Sequence, residues 1–215
     1  MVIIAQSGWE NSGGLDVTDA AFWIDSSAGG TIVVAPVKGG IYAFKTTAVA
    51  SSFLRKDFGG VGYSPFNCRH YVNFPIDFTT ATGTVVLQQF FDTTFGGTVI
   101  AGLNRDATGY RWYLTSPTAG TTYSGYITLN LNTWYCFELQ AIKGVGTGQA
   151  TLWIDAVQTL QHLGEAMPNN YEWVWCVGFA STDTNFQVIA DNAIIADAYI
   201  GPDSNLKRLL TNVGL

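Results

Sequence analysis

The sequence predicts an all-β domain folded as a two-sheet antiparallel sandwich. Apolar runs of roughly four to eight residues recur between clusters of Gly, Asn, Asp and Thr, which is the pattern of short strands joined by tight turns. The composition agrees, with 24 Gly, 14% aromatic and only 12% charged residues, against about 25% charged residues in typical soluble domains. A chain of 215 residues also suits one large sandwich that buries a core without disulfides.

Five apolar runs predict strands in the first half of the chain. They are Thr31–Val37, Gly40–Thr46, Cys68–Phe74, Thr84–Asp92 and Thr98–Asn104. The last two flank Thr94-Phe95-Gly96-Gly97, which predicts a hairpin. Strand alternation divides the third run into two faces. One face carries Cys68, His70, Val72 and Phe74, and the other carries Arg69, Tyr71 and Asn73.

Seven further runs predict strands in the second half. They are Gly109–Thr115, Thr121–Leu129, Trp134–Ile142, Gln149–Asp155, Val157–Leu163, Trp173–Ala180 and Phe186–Ile200. The Gly-rich segment Lys143–Gly148 predicts a second hairpin. Because no Pro-rich or charged linker interrupts these runs, residues 1–202 are expected to form one domain.

The tail, residues 203–215, has a different pattern. Leu206, Leu209, Leu210 and Val213 fall at helical spacing, and Asp203 or Ser204 could cap a short helix. A helix this short is marginal alone in water. Its apolar stripe is therefore expected to bind a partner surface, either on the same sandwich or on a neighbouring subunit of a homo-oligomer.

Charge and cysteine usage exclude several classes of protein. The net charge is −6 and the isoelectric point is near 4.6, which argues against nucleic-acid binding. No apolar run approaches the roughly 18 residues of a membrane helix, and the N-terminus lacks the features of a signal peptide. The odd cysteine count favours buried free thiols, and hence assembly in a reducing cytoplasm, over a disulfide framework.

Several segments, in their order along the chain, indicate a family. In the first half these are Ser7–Glu10 and Gly39–Phe44, and in the second half they are Leu131–Leu139, Gly148–Asp155, Val177–Phe179 and Ala190–Gly201. This order resembles the concanavalin A-like and laminin-G-like jelly-roll superfamily, and the opening segments resemble virion proteins and carbohydrate-binding modules of that fold. One departure is Ala156, where the family usually has Gly. The resemblance implies a jelly-roll sandwich, but the fold alone does not determine its function.

The resemblance also implies a structural calcium ion near the first and last strands. The matching positions are Glu10 and Asp191, and Asp16 in a Gly-rich turn could join them. Calcium takes six to eight oxygen ligands, including carboxylates. The alternative is that these are ordinary turn and edge carboxylates. No other cofactor is expected.

Catalytic patterns are poorly represented. The paired carboxylates of glycoside hydrolysis are missing, because none of the four Glu residues lies in a Glu-x-Asp-x-x-Glu pattern. Arg69-His70-Tyr71 suggests lyase chemistry, but alternation points His70 away from its neighbours. A half-buried structural His beside a surface Arg–Tyr pair is the preferred interpretation. With no nucleophile or zinc motif, the chain is predicted not to be an enzyme.

Aromatic residues offer a candidate glycan site. Tyr110 and Trp112 share one strand face, and Arg111 and Tyr113 share the other. Tyr123 and Tyr126 flank a nearby turn. Strand aromatics more often belong to the core, so only some of these rings can be free. Tyr110, Trp112 and Tyr126 are the predicted glycan-binding residues.

Three functions follow from this pattern. The main prediction is a non-enzymatic virion surface component, such as a capsid decoration or tail protein, assembled in the host cytoplasm. It would bind other virion or self subunits and could also contact glycans. The first alternative is a carbohydrate-binding module of an extracellular protein. The second is a small polysaccharide lyase or hydrolase.

Overall fold

The computed structural model describes residues 3–7, 26–28, 30–38, 43–46, 52–80, 82–94, 98–179, 183 and 186–202. Every regular element within them is a strand, and all strand pairs are antiparallel. The strands are β1 (Ile3–Ser7), β2 (Ser26–Ala28), β3 (Gly30–Val33), β4 (Ala43–Thr46), β5 (Ser52–Asp57), β6 (Phe66–Ile76), β7 (Gly83–Asp92), β8 (Thr98–Arg105), β9 (Tyr110–Ser116), β10 (Gly120–Tyr123), β11 (Trp134–Ile142), β12 (Gly144–Ile154), β13 (Val157–Met167), β14 (Tyr171–Phe179) and β15 (Gln187–Ala196).

The strands form two sheets, which confirms the predicted sandwich. One sheet has the order β13-β12-β11-β6-β15-β4-β3, and β1 also pairs with β15. The other has the order β10-β9-β8-β7-β14-β5-β2. The predicted hairpin joins β7 to β8, with Phe91 opposite Thr98. The predicted helix at 203–215, with Leu206, Leu209, Leu210 and Val213, lies outside the described residues.

Alternation along the strands builds the core between the sheets. From β6, Phe66, Cys68 and Val72 are fully buried in the core cluster. Cys68 and Val72 belong to the face that alternation separated from Arg69 and Tyr71. Aromatic contacts link the two layers, and the rings of Phe66 and Phe90 meet edge to face at 4.9 Å. Cys68 and Cys136 are buried free thiols, and burial raises the pKa of Cys136 to about 12.

Part of the outer face of the larger sheet is covered by residues 197–202, which we call the C-terminal strap. The Glu138 carboxylate accepts the N–H groups of Ile200 and Gly201 at 2.6 and 2.8 Å. Arg69 donates to the Gly201 carbonyl at 3.0 Å. Arg69 and Tyr71 are both buried, so the prediction of a surface Arg–Tyr pair is wrong.

No helix in the described part of the chain is long and apolar enough to cross a membrane.

Candidate functional site

The predicted calcium ligands are only partly described. Asp191 is buried on β15, and its carboxylate accepts the N–H groups of Lys38 and Asn192, each at 2.7 Å. Glu10 and Asp16 lie outside the described residues. Within the described ranges, no three His, Cys, Asp or Glu side chains come together as a metal site would require. The calcium site therefore stays a prediction.

Arg69, His70 and Tyr71 do not converge on one site. His70 points into the core, where its Nδ1 lies 2.6 Å from Nε2 of Gln88, and it is fully buried rather than half-buried. Arg69 and Tyr71 point to the opposite face, and the guanidinium of Arg69 lies 5.1 Å from the Tyr71 ring. Strand alternation was thus predicted correctly, and it separates the groups that a lyase would need together.

The predicted glycan residues have three different environments, and Trp112 is in the core. It is only 3% exposed, and its ring packs against Tyr135 at 5.7 Å and Phe137 at 5.9 Å. The prediction that Trp112 binds a glycan is therefore wrong, because the face of β9 that carries it points toward the other sheet.

Tyr110 lies at the rim of the core. Its hydroxyl donates to Asp77, its ring packs against Phe78 at 6.0 Å, and the guanidinium of Arg105 lies 5.3 Å from its centroid. With these partners Tyr110 is half-buried, which leaves little of its ring for a ligand.

Tyr126 lies on the surface, in the segment after β10, and is 51% exposed. Tyr123 at the end of β10 is 43% exposed. The guanidinium carbon of Arg111 lies 4.3 Å from the Tyr123 centroid and 5.0 Å from the Tyr126 centroid. One cation therefore contacts two exposed rings. We call Asp106, Arg111, Tyr113, Tyr123 and Tyr126 the Arg111 cluster.

Asp106 fixes Arg111 in place. Its Oδ2 lies 2.6 Å from the guanidinium of Arg111 and accepts the Tyr126 hydroxyl at 3.0 Å. Its Oδ1 accepts the N–H groups of Thr108 and Gly109 at 2.8 and 3.2 Å, so the same carboxylate closes the β8–β9 turn. These hydrogen bonds, that from Thr108 foremost, lower the pKa of Asp106, and the Arg111 charge adds to the effect. The carboxylate is therefore ionised at neutral pH.

Tyr113 forms the floor of the cluster. It pairs across the ladder with Tyr123 and lies over Gly102 of β8. A Cβ atom on residue 102 would lie 2.9 Å from Cε1 of Tyr113 and 1.9 Å from the Val85 carbonyl oxygen. The glycine thus leaves room for the Tyr113 ring beside β8. Burial raises the pKa of Tyr113, and the phenol stays protonated.

Sequence reasoning predicted Tyr126 and missed the polar half of the cluster. Arg111 was assigned a face but no role, and Asp106 was not considered. The available signal was the run Asp106-Ala107-Thr108-Gly109, which is typical of a turn closed by an aspartate side chain. That turn brings Asp106 beside Arg111.

Comparison with known proteins shows the fold. No protein-family model matches this chain, and no curated protein matches it. Among solved structures, the alginate lyase Aly36B matches with a TM-score of 0.65 and 11% identity, over 92% of this chain and 98% of that chain. The cellulose induced protein Cip1 matches with a TM-score of 0.61 and 12% identity, over 92% and 99% of the two chains.

A third match is domain 4 of AbnA, a GH43 extracellular arabinanase from Geobacillus stearothermophilus, solved in complex with arabinotriose. Its TM-score is 0.56 and its identity 16%, over 94% of this chain and 96% of that chain. At these identities the likeness shows the sandwich fold alone. It does not single out a concanavalin A or viral family.

Proposed function

We propose that this chain is a non-catalytic glycan-binding domain and that the glycan lies on the Arg111 cluster. One observation carries the proposal: Tyr123 and Tyr126 are exposed by 43% and 51% and both contact the same guanidinium. Sugar rings have an apolar C–H face and a rim of hydroxyl groups. The tyrosine rings offer apolar surface to the C–H face of the sugar. Phenol, guanidinium and carboxylate groups can bind its hydroxyl groups.

The cluster is held in place before any ligand arrives. Arg111 is fixed by Asp106 at 2.6 Å, and Tyr126 is fixed by its hydrogen bond to the same carboxylate. Side chains that are already ordered lose little conformational entropy on binding, so more of the contact energy contributes to affinity. A preformed, shallow surface of this kind suits a ligand that binds weakly, such as an oligosaccharide.

The comparisons support this proposal better than they support the virion role predicted from composition. A structurally similar domain, that of the arabinanase AbnA, was solved with arabinotriose bound. None of the proteins reported above is described as a virion component, so assembly with virion or self subunits stays a prediction. The burial and separation of Arg69, His70 and Tyr71 support the non-catalytic part of the proposal.

Calorimetric titration of the purified chain with a panel of oligosaccharides tests the proposal. We expect Tyr123→Ala and Tyr126→Ala each to weaken binding at least ten-fold, roughly 1.4 kcal/mol or more, because each removes one apolar surface. Tyr199→Ala is the matched control, since Tyr199 is also exposed but packs on Trp153 of the other sheet at 4.9 Å. Unchanged binding by both cluster variants, with circular dichroism showing intact folds, would contradict the proposal.

A further inference from the structure

The charges around the Arg111 cluster are paired. The stretch from Thr98 to Thr133 contains Arg105 and Arg111, one acidic residue, Asp106, and no lysine. Arg111 is neutralised by Asp106 at 2.6 Å. Arg105 lies 3.5 Å from Asp77 and also donates to the Phe78 carbonyl at 2.7 Å. The arginines of this stretch are therefore both engaged by carboxylates of the chain itself.

We infer that the Arg111 cluster selects neutral glycans and discriminates against polyuronates, an inference that rests on the proposed function. A uronate carboxylate could gain a salt bridge here only by displacing Asp106 from Arg111. Asp106 is tethered in a turn by Thr108 and Gly109, so its effective concentration at Arg111 is high. A second carboxylate placed beside it would also meet like-charge repulsion.

The whole chain adds to this local effect. Its 16 acidic residues outnumber its 10 basic residues, giving a net charge of −6. A polyanion therefore approaches a repulsive field, which slows association at low ionic strength. Neutral sugar hydroxyls both donate and accept hydrogen bonds. They therefore suit a site in which phenols, a carboxylate and a guanidinium lie close together and carry no net charge.

Asp106→Asn is the variant that isolates the pairing. Asparagine keeps the Oδ1 acceptor that closes the turn, while it removes the charge that neutralises Arg111. Asp57→Asn is the matched control: Asp57 lies on β5 of the same sheet, and its Oδ1 likewise accepts the N–H group of the residue two positions on, Gly59, at 2.8 Å. Both variants change the net charge by the same amount, so a difference between them reports the local effect.

The experiment compares neutral arabino- and gluco-oligosaccharides with alginate and polygalacturonate oligosaccharides of equal length, at low salt and at physiological salt. We expect the native chain to bind a neutral oligosaccharide at least ten-fold more tightly than any uronate. At low salt, Asp106→Asn should shift that ratio at least ten-fold toward the uronates, and the shift should be smaller at physiological salt. Asp57→Asn should not shift it.

Three results would overturn the inference. If the native chain bound uronates as tightly as neutral sugars, glycan binding would stand and the selectivity would not. An unchanged ratio in Asp106→Asn would show that charge pairing does not set specificity. Binding of neither class would overturn the selectivity together with the proposed function.

Discussion

Replacing His70 by glutamine should change how the unfolding free energy of this protein depends on pH. His70 is fully buried in the core. Gln88 Nε2 donates to the Cys68 carbonyl at 3.0 Å and lies 2.6 Å from His70 Nδ1. This network assigns Nδ1 as an acceptor and places the ring proton on Nε2, which has no hydrogen-bond partner among the described residues. The ring is therefore held neutral.

The magnitude follows from the pKa of this ring. Burial, with a smaller contribution from the charge of Arg69, lowers the pKa of His70 from 6.5 to about 3. Between these values the unfolded chain binds a proton that the folded chain does not. The stabilisation is thus complete above pH 6.5 and is lost as the pH falls toward 3. The slope approaches about 1.4 kcal/mol per pH unit below pH 6.5, and the loss between pH 6.5 and 4.5 is about 2 kcal/mol because the unfolded ring is only half protonated at pH 6.5.

Urea unfolding, followed by tryptophan fluorescence at half-unit steps of pH, measures this loss. The quantity of interest is the unfolding free energy of the native chain minus that of His70→Gln, because every other titrating group cancels in the difference. We expect the difference to shrink by about 2 kcal/mol between pH 6.5 and 4.5. A difference constant to within roughly 0.5 kcal/mol would refute the argument that His70 is buried neutral.

His162→Gln serves as the control for this measurement. His162 is also buried, but its two ring nitrogens lie 2.6 Å from the Ser116 hydroxyl and 2.7 Å from the Thr122 hydroxyl. Both hydroxyl oxygens can accept from a protonated ring, and the Glu165 charge opposes the lowering of its pKa by burial. Its loss of stability in acid should therefore be smaller than that of His70.

Two further substitutions test the two sheets: Glu138→Gln in the sheet under the strap, and Gly102→Ala in the sheet that carries the Arg111 cluster. Burial raises the pKa of Glu138 to about 7, so its folded form holds a proton that the unfolded form releases. The unfolding free energy of the native chain relative to Glu138→Gln should then fall by about 1.4 kcal/mol per unit as the pH rises from 4.5 to 7, and parallel urea profiles would contradict this. Gly102→Ala should destabilise the fold by about 1–3 kcal/mol, because its Cβ would lie 1.9 Å from the Val85 carbonyl oxygen; an unchanged urea midpoint would show that β7 and β8 can separate freely.

Local sequence patterns predicted most of the strands because alternation and turn residues act over short distances. The run Trp134–Ile142 coincides with β11, and the two faces of Cys68–Phe74 divide as expected. β5 (Ser52–Asp57) was missed because Arg55 and Lys56 interrupt its apolar pattern. The predicted strand Phe186–Ile200 was too long. β15 ends at Ala196, where the chain leaves the sheet to form the C-terminal strap.

The burial of the outer face could not be predicted in this way. Arg69 is a basic residue, and a basic residue on one face of a strand normally indicates that this face is exposed to solvent. Its partner is the Gly201 carbonyl, which lies far along the chain. Only the tertiary arrangement shows that the strap lies against Arg69 and that Glu138 supplies acceptors for the strap backbone.

The candidate site shows the same division between local and distant information. Alternation established that Trp112 and Arg111 lie on opposite faces, but both faces carry rings, so the pattern did not decide which one is the core. The structure assigns Trp112 to the core and places Arg111 and Tyr113 on the outer face of the sheet. The contact between Arg111 and Asp106 depends on the β8–β9 register, in which Arg111 pairs with Asn104.

The two buried titrating groups oppose each other in their effect on stability. Between pH 4.5 and 6.5 the folded chain holds one extra proton at Glu138, and the unfolded chain holds one extra proton at His70. Since the slope of stability with pH depends on the difference in bound protons, the two contributions nearly cancel in that range. A flat profile of the native chain would thus conceal two steep dependences. The profile of a single variant shows the dependence of the group that remains, and the difference between the native chain and that variant isolates the group that was replaced.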